Sequence, residues 1–163
     1  MTRRTALIVE VPEAEAAVAT MRLEHDPMAR LGVPAHITIH FPFAPPEAVD
    51  EDAVVELMAE QKAFSFELAS VEHFADGVTY LAPRPAQPFR DLIAATGARW
   101  PEYPPYDGAF AEIVPHLTLG LTHLEPDLEL PIACIAGSVT LLEESADSRW
   151  RVRRCFRLQA RVA

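Results

Sequence analysis

Cysteine is nearly absent from this chain: there are two, Cys134 and Cys155. Their separation offers no metal-ligand spacing and no disulfide framework. They could face each other across a C-terminal hairpin, but free thiols in a reducing compartment are the default expectation, and with it a cytoplasmic protein. Glycine is also scarce, at six residues scattered along the sequence, so no Gly-rich loop is available to cradle phosphates. No apolar run is long enough to span a membrane. The N-terminal Met1-Thr2-Arg3-Arg4 is basic, yet the apolar stretch behind it is short and broken by Glu10, which excludes a signal peptide. Positive charge is the last shortage: 14 Lys and Arg stand against 24 Asp and Glu, for a net charge of -10. A protein gripping long duplex nucleic acid needs a basic surface, so that class of partner is excluded. A small phosphorylated ligand stays open, because a few local donors can hold one phosphate against an unfavourable global field.

What is present suits one folded unit. The 163 residues are 50% apolar, enough for a single domain or two closely fused lobes sharing a core. Fifteen prolines cluster around Pro42/Pro45/Pro46, Pro83/Pro85/Pro88 and Pro101/Pro104/Pro105, as punctuation between elements. Arg149, Arg151, Arg153, Arg154, Arg157 and Arg161 concentrate near the C-terminal end and alternate in part with apolar residues, the pattern of a strand's solvated face.

Apolar periodicity orders the elements. Strands are expected at 5–11, 35–41, 64–71, 78–82, 113–121, 132–142 and 149–158. Helices are expected at 13–24, with Ala17, Val18 and Met21 on one side, at 47–62, and at 88–100, where Pro88 suits a first turn. The halves, approximately 1–75 and 76–163, match: each runs strand, helix, His-x-Thr strand, further strand. This predicts an α+β fold of two similar lobes, a bilobal pseudo-twofold arrangement of antiparallel sheets with flanking helices and a central cleft. The second half lacks room for a helix after its His-x-Thr strand, since 124–131 is short and proline-broken.

The repeated tripeptides are His36-Ile37-Thr38 and His116-Leu117-Thr118. One such tripeptide carries little information; two at equivalent places in similar half-chains carry much more. Residues two apart on a strand share a face, so each histidine has a threonine hydroxyl beside it. If both faces line one groove, one neutral imidazole can act as general base and a protonated one as general acid. The hydroxyls can donate to non-bridging phosphate oxygens as charge shifts in the transition state. That constellation suits in-line displacement at phosphorus without a metal or any other cofactor.

These motifs, with Val33-Pro34-Ala35 before the first, Phe41-Pro42-Phe43 after it, Pro115 before the second, Tyr80-Leu81-Ala82-Pro83, and Pro105-Tyr106 with Gly108, resemble the 2H phosphoesterase superfamily. The nearest resemblance within it is to bacterial 2′-5′ RNA ligase and 2′,3′-cyclic phosphodiesterase-like proteins. It spans nearly the whole chain and departs from the usual pattern in the shortened segment after Thr118. It implies a bilobal fold whose cleft is lined by His36, Thr38, His116 and Thr118, and a phosphoric diester hydrolase acting on a small nucleotide or an RNA end. The reverse reaction would be 2′-5′ ligation. A monomer is expected.

Other candidates compete with plainer readings. Phe41, Tyr80 and Tyr106 could stack on a base; aromatics on strands equally serve as core, the preferred reading for Phe41. Arg84 could reach a phosphate, against the alternative of a surface arginine between prolines. His40 shares the expected face of His36 and Thr38, raising a zinc set of His36, His40 and His116. Four residues along a strand span about 13 Å, too far for two ligands of one ion without a bulge, so His40 is expected at the cleft rim or exposed. His123 falls on the face opposite His116 if the strand continues, a structural or solvated position, and His25 and His73, at a helix end and in a loop, have no neighbours in sequence that suggest chemistry. A non-catalytic module binding nucleotides or RNA ends through the same groove remains the alternative class.

Overall fold

The run Thr5–Glu10 is apolar and buried along nearly its whole length because it pairs on both sides. In the computed structural model, which describes residues 3–160, this strand (β1) lies between β2 (His36–His40) and β7 (Ser138–Glu144), with β8 (Trp150–Arg157) outside β7. A second sheet has the order β5 (Leu117–Gly120), β4 (Thr79–Arg84), β3 (Phe64–His73), β6 (Ile132–Ala136). All strand pairs are antiparallel. The helices are α1 (Pro12–His25), the single turn α2 (Pro27–Arg30), α3 (Glu51–Ala59) and α4 (Gln87–Arg99). Among the described residues no helix is long and apolar enough to cross a membrane. Met1, Thr2 and Arg161 lie outside the described residues.

The two sheets do not follow the two halves of the sequence. β3 leaves the first half to pair with β4, while β7 and β8 return from the second half to flank β1. The stretch expected as one strand over 132–142 is two: β6 ends at Ala136, Gly137 breaks the run, and β7 enters the other sheet. That crossing separates the cysteines. Cys134 on β6 is buried and Cys155 on β8 exposed, both free, and the C-terminal hairpin is β7–β8 instead. The expected helix 47–62 begins late because Asp50 caps it, its carboxylate accepting from the Ala53 amide at 3.1 Å; Pro46–Ala48 forms a separate 3-10 turn. Residues 124–131 carry no regular element.

One core joins both sheets and the helices, running from Leu7, Ile37 and Leu141 through Phe89 to Leu68, Leu81 and Leu117. Phe89 of α4 stands edge-on to Phe64 and Phe66, with centroids 5.0 and 4.8 Å away. The helices cross over: α1, which connects the strands of the first sheet, packs on β5 of the second, and α4, which connects β4 to β5, packs on β2. The buried stripe of α1 is Ala14, Val18 and Arg22, with Ala17 exposed. Arg22 is tolerated there because each of its three guanidinium nitrogens has a partner. Nη2 and Nε meet Asp26 Oδ2 at 3.1 and 3.3 Å, and Nη1 donates to the Val33 carbonyl at 3.1 Å. The C-terminal arginines are largely on a solvated strand face, with Arg153 and Arg154 paired to Glu51 of α3.

Candidate active site

β2 and β5 are each the outer strand of their sheet, and the two edges lie against one another. The alternation of a strand then presents the same pattern twice. Ala35, Ile37 and Ile39 are buried while His36 and Thr38 are half-buried; Pro115, Leu117 and Leu119 are buried while His116 and Thr118 are half-buried. All four polar residues line one cavity of about 320 Å³.

Each histidine is oriented by the same device. His36 Nδ1–H donates to the Pro34 carbonyl and His116 Nδ1–H to the Val114 carbonyl, both at 2.7 Å and both two residues back. Those bonds fix the tautomer and leave Nε2 as the free nitrogen of each ring. Burial pushes the His36 imidazole down to about 4. Arg22 and His116 push the same way, while the Pro34 carbonyl and Asp26 oppose. Burial also lowers His116, against the Val114 carbonyl. At neutral pH both rings are therefore uncharged, with two bare Nε2 lone pairs available to take protons.

A matched irregularity shapes both strands. Thr38 faces Ile8 and Thr118 faces Tyr80, and immediately beyond each the register slips by one residue. The slip turns the following residue to the other side of the sheet. His40, opposite Leu7, consequently points into the core. It is fully buried, with Nδ1 3.0 Å from Thr96 Oγ1 of α4 and Nε2 bonded to the Tyr103 carbonyl. This corrects the expectation of His40 at the rim or in solvent, and removes it from any set with His36 and His116. Its counterpart in the other sheet is Gly120, where an added Cβ would come within 2.6 Å of His25 Cβ; only glycine lets α1 end against β5.

The substrate-contact candidates separate. Phe41 and Tyr106 line the cavity. Tyr106 holds a left-handed backbone, φ 52°, which a tyrosine adopts only under constraint. The constraints are its amide, bonded to the Phe41 carbonyl at 2.6 Å, and its hydroxyl, hydrogen-bonded to Thr38. Tyr80 is 9% exposed and packs edge-on against His116, centroids 5.7 Å apart. Arg84 lies elsewhere. It sits four residues along β4 from Tyr80, pairs with Glu67 at 3.0 Å, and faces a separate groove of about 770 Å³ with Glu67 and Ile135. Strand geometry carries it about 13 Å from the histidine end of β4.

Three residues at the site went unremarked in the sequence. Arg4 lines the cavity, its guanidinium 5.2 Å from the Phe41 centroid and 5.7 Å from that of Trp150, tethered to Glu144 at 2.9 Å. Alternation would have found it, since Arg4, Ala6 and Ile8 share a face and Ile8 opposes Thr38. Trp150 closes the same wall, and its buried indole N–H has no hydrogen-bond partner among the described residues. Phe74 stacks on Tyr80 at 4.2 Å and meets His116 edge-on at 5.1 Å; it arrives from the β3–β4 turn, which no local pattern links to β5.

Fold and site together define a two-sheet α+β protein with a pair of His-x-Thr edges facing one cleft. The family model described as the 2′-5′ RNA ligase superfamily matches residues 10–159, and the chain belongs to that family, a group of 2H phosphoesterases. Among solved structures it is similar to E. coli LigT complexed with 3′-AMP, at 20% identity and TM-score 0.67 over 97% of this chain and 99% of that one. It is also similar to TT0787 of Thermus thermophilus, at 16% identity and TM-score 0.70 over 98% and 100%. A structure described as a phosphoesterase aligns at 19% identity and TM-score 0.64 over 98% and 99%. No curated protein sequence matches significantly.

Proposed function

We propose that this chain is a metal-independent phosphoesterase that hydrolyses a 2′,3′-cyclic phosphate or a related nucleotide or RNA-end phosphodiester. The observation that carries the reading is the paired site: two imidazoles, each with Nδ1 tied to the carbonyl two residues back and Nε2 free, each beside a threonine in one cavity. His36, held lowest at about 4, serves as the base that takes a proton from water attacking phosphorus. His116, protonated once an anionic substrate enters and raises its proton affinity, gives that proton to the ribose oxygen as its bond to phosphorus breaks. The product is a phosphomonoester with a freed hydroxyl, and the two histidines end with their protons exchanged. Thr38 and Thr118 hydroxyls hold the non-bridging oxygens. With a 5′-hydroxyl in place of water as the nucleophile, the same forward steps open the cyclic phosphate into a 2′-5′ linkage, the 3′-oxygen leaving with the proton from His116.

Related structures support a small nucleotide ligand: E. coli LigT is complexed with 3′-AMP, with NADP+ and with ATP. In this chain Phe41, Tyr106 and Trp150 offer aromatic surface for a base, and Arg4 a cation at the same wall. A cytoplasmic monomer acting without cofactor completes the reading. The test is turnover of 2′,3′-cyclic nucleotides, 2′-5′-linked dinucleotides and 3′,5′-cyclic nucleotides by the parent, His36→Ala and His116→Ala, with and without a chelator. Each substitution is expected to cut kcat at least ~100-fold, the scale of one general acid or base, and chelation to change nothing. Hydrolysis by the double variant at the parental rate would refute the mechanism. Tight capture without turnover by the parent would replace it with a binding module.

A further inference from the structure

Outside the cleft, the structure gathers three ligand-type side chains that are distant in sequence. His73 ends β3, His123 lies in the loop after β5, and Glu125 follows two residues on. The imidazoles stack with centroids 4.0 Å apart at 13°, and His123 Nε2 is 2.6 Å from Glu125 Oε1. One ring nitrogen from each histidine and one Glu125 oxygen all lie within 4.8 Å of one another. From this geometry we infer that His73, His123 and Glu125 form a surface site for a divalent transition-metal ion of the zinc class.

Preorganisation supports the assignment. Thr79 is fully buried at the start of β4. Its hydroxyl donates to the Thr122 carbonyl at 2.8 Å and accepts from the Leu124 amide at 2.9 Å, so both chain neighbours of His123 are clamped to the sheet. The Leu124 carbonyl in turn accepts from His73 Nε2–H at 2.9 Å. A carbonyl holding one imidazole nitrogen is how proteins orient a metal-binding histidine, and it leaves Nδ1 of His73 for the ion.

The donor set selects the ion. Two imidazole nitrogens and a carboxylate suit zinc, nickel, cobalt or copper, whereas magnesium and calcium call for shells of oxygen. Bonds of roughly 2.0–2.1 Å place tetrahedral donors about 3.4 Å apart. Binding one ion needs the stacked rings to turn until their in-plane lone pairs converge and the His123–Glu125 contact to open from 2.6 Å, rotations that three exposed side chains allow. The fourth position is left to water. The ion would sit outside the cleft, at the end of β3 and in the loop after β5, and take no part in the chemistry there. The inference is independent of the proposed phosphoesterase chemistry.

The experiment is titration of the full chain with zinc chloride by calorimetry, with thermal unfolding in parallel. One equivalent bound in the micromolar range is expected, with a zinc-dependent rise in Tm. His73→Ala and His123→Ala should each weaken binding at least ~10-fold, and Glu125→Gln should weaken it with little change in the zinc-free melt. His36→Ala and His116→Ala should bind as the parent does. No binding below millimolar zinc, or parental affinity in the His73→Ala/His123→Ala double variant, would overturn the site.

Discussion

Lowering the pH should destabilise the parent protein more than a variant lacking the His36 imidazole. In the folded chain that ring is held at about 4, chiefly by burial, against an ordinary 6.5. Between those values the unfolded chain binds a proton that the folded chain does not, so stability falls as pH falls through the window. The full contribution is present above 6.5 and lost by about 4. A shift of roughly 2.5 units at about 1.36 kcal/mol each gives about 3 kcal/mol, a large share of the roughly 5–15 kcal/mol that holds a domain folded. The assay is urea unfolding of the parent and His36→Gln at pH 7, 5.5 and 4, read by linear extrapolation. Other groups titrate in both proteins, His116 among them, so the difference isolates His36. The parent should lose about 3 kcal/mol more than the variant between pH 7 and 4. Equal losses, or an NMR titration placing His36 near 6.5, would refute the account of a desolvated, neutral base.

Two further substitutions test how the site is held. Gly120→Ala places a Cβ 2.6 Å from His25 Cβ and 2.9 Å from Leu124 Cδ1; overpacking of this kind costs about 1–3 kcal/mol, or roughly 3–10 °C in Tm, by calorimetry. An unchanged melting point would mean α1 is not docked on β5 as described. Tyr106→Phe removes the hydroxyl bonded to Thr38, and with the proposed cyclic phosphodiester substrate it should lower kcat about tenfold with KM little changed, matching a lost hydrogen bond of about 1.4 kcal/mol. A rise in KM alone would assign Tyr106 to substrate binding instead.

Local pattern carried the strands, the helices and the repeated tripeptides, because each depends on a period of two or 3.6 that single residues display. It sets His36 and Thr38 on one face of β2 and Thr118 on β5, but extends that strand back over 113–116, whereas β5 begins at Leu117 and His116 is the residue before it. What it missed depends on events the period does not encode. A one-residue slip beyond Thr38 turns His40 into the core, where strict alternation keeps it beside His36. The crossing at Gly137 sends β6 and β7 to different sheets although 132–142 reads as one apolar run. Arg22 sits on the inner face of α1 because Asp26 and a carbonyl of the next loop satisfy it. Phe74, Trp150 and Arg4 come to the histidines through pairing between distant segments, as do His73 and His123 to each other.

The exchange of helices bears on how two histidines from separate sheets keep a fixed spacing. Were each lobe to carry its own helix on its own sheet, β2 and β5 would meet only at their edges, an arrangement open to hinge motion. Here α1 backs β5 and α4 backs β2, and the joints are specific. His40 reaches Thr96 of α4 and the Tyr103 carbonyl beyond it, while Gly120 and the Leu121 amide close on the end of α1, the amide donating to the His25 carbonyl at 3.0 Å. Both joints lie immediately past a His-x-Thr, at the residue turned inward by the register slip. The slip that hides His40 therefore anchors each motif to the opposite lobe. The proposed reaction, with a base and an acid on either side of one phosphorus, needs that spacing held before substrate arrives, and the shared core holds it.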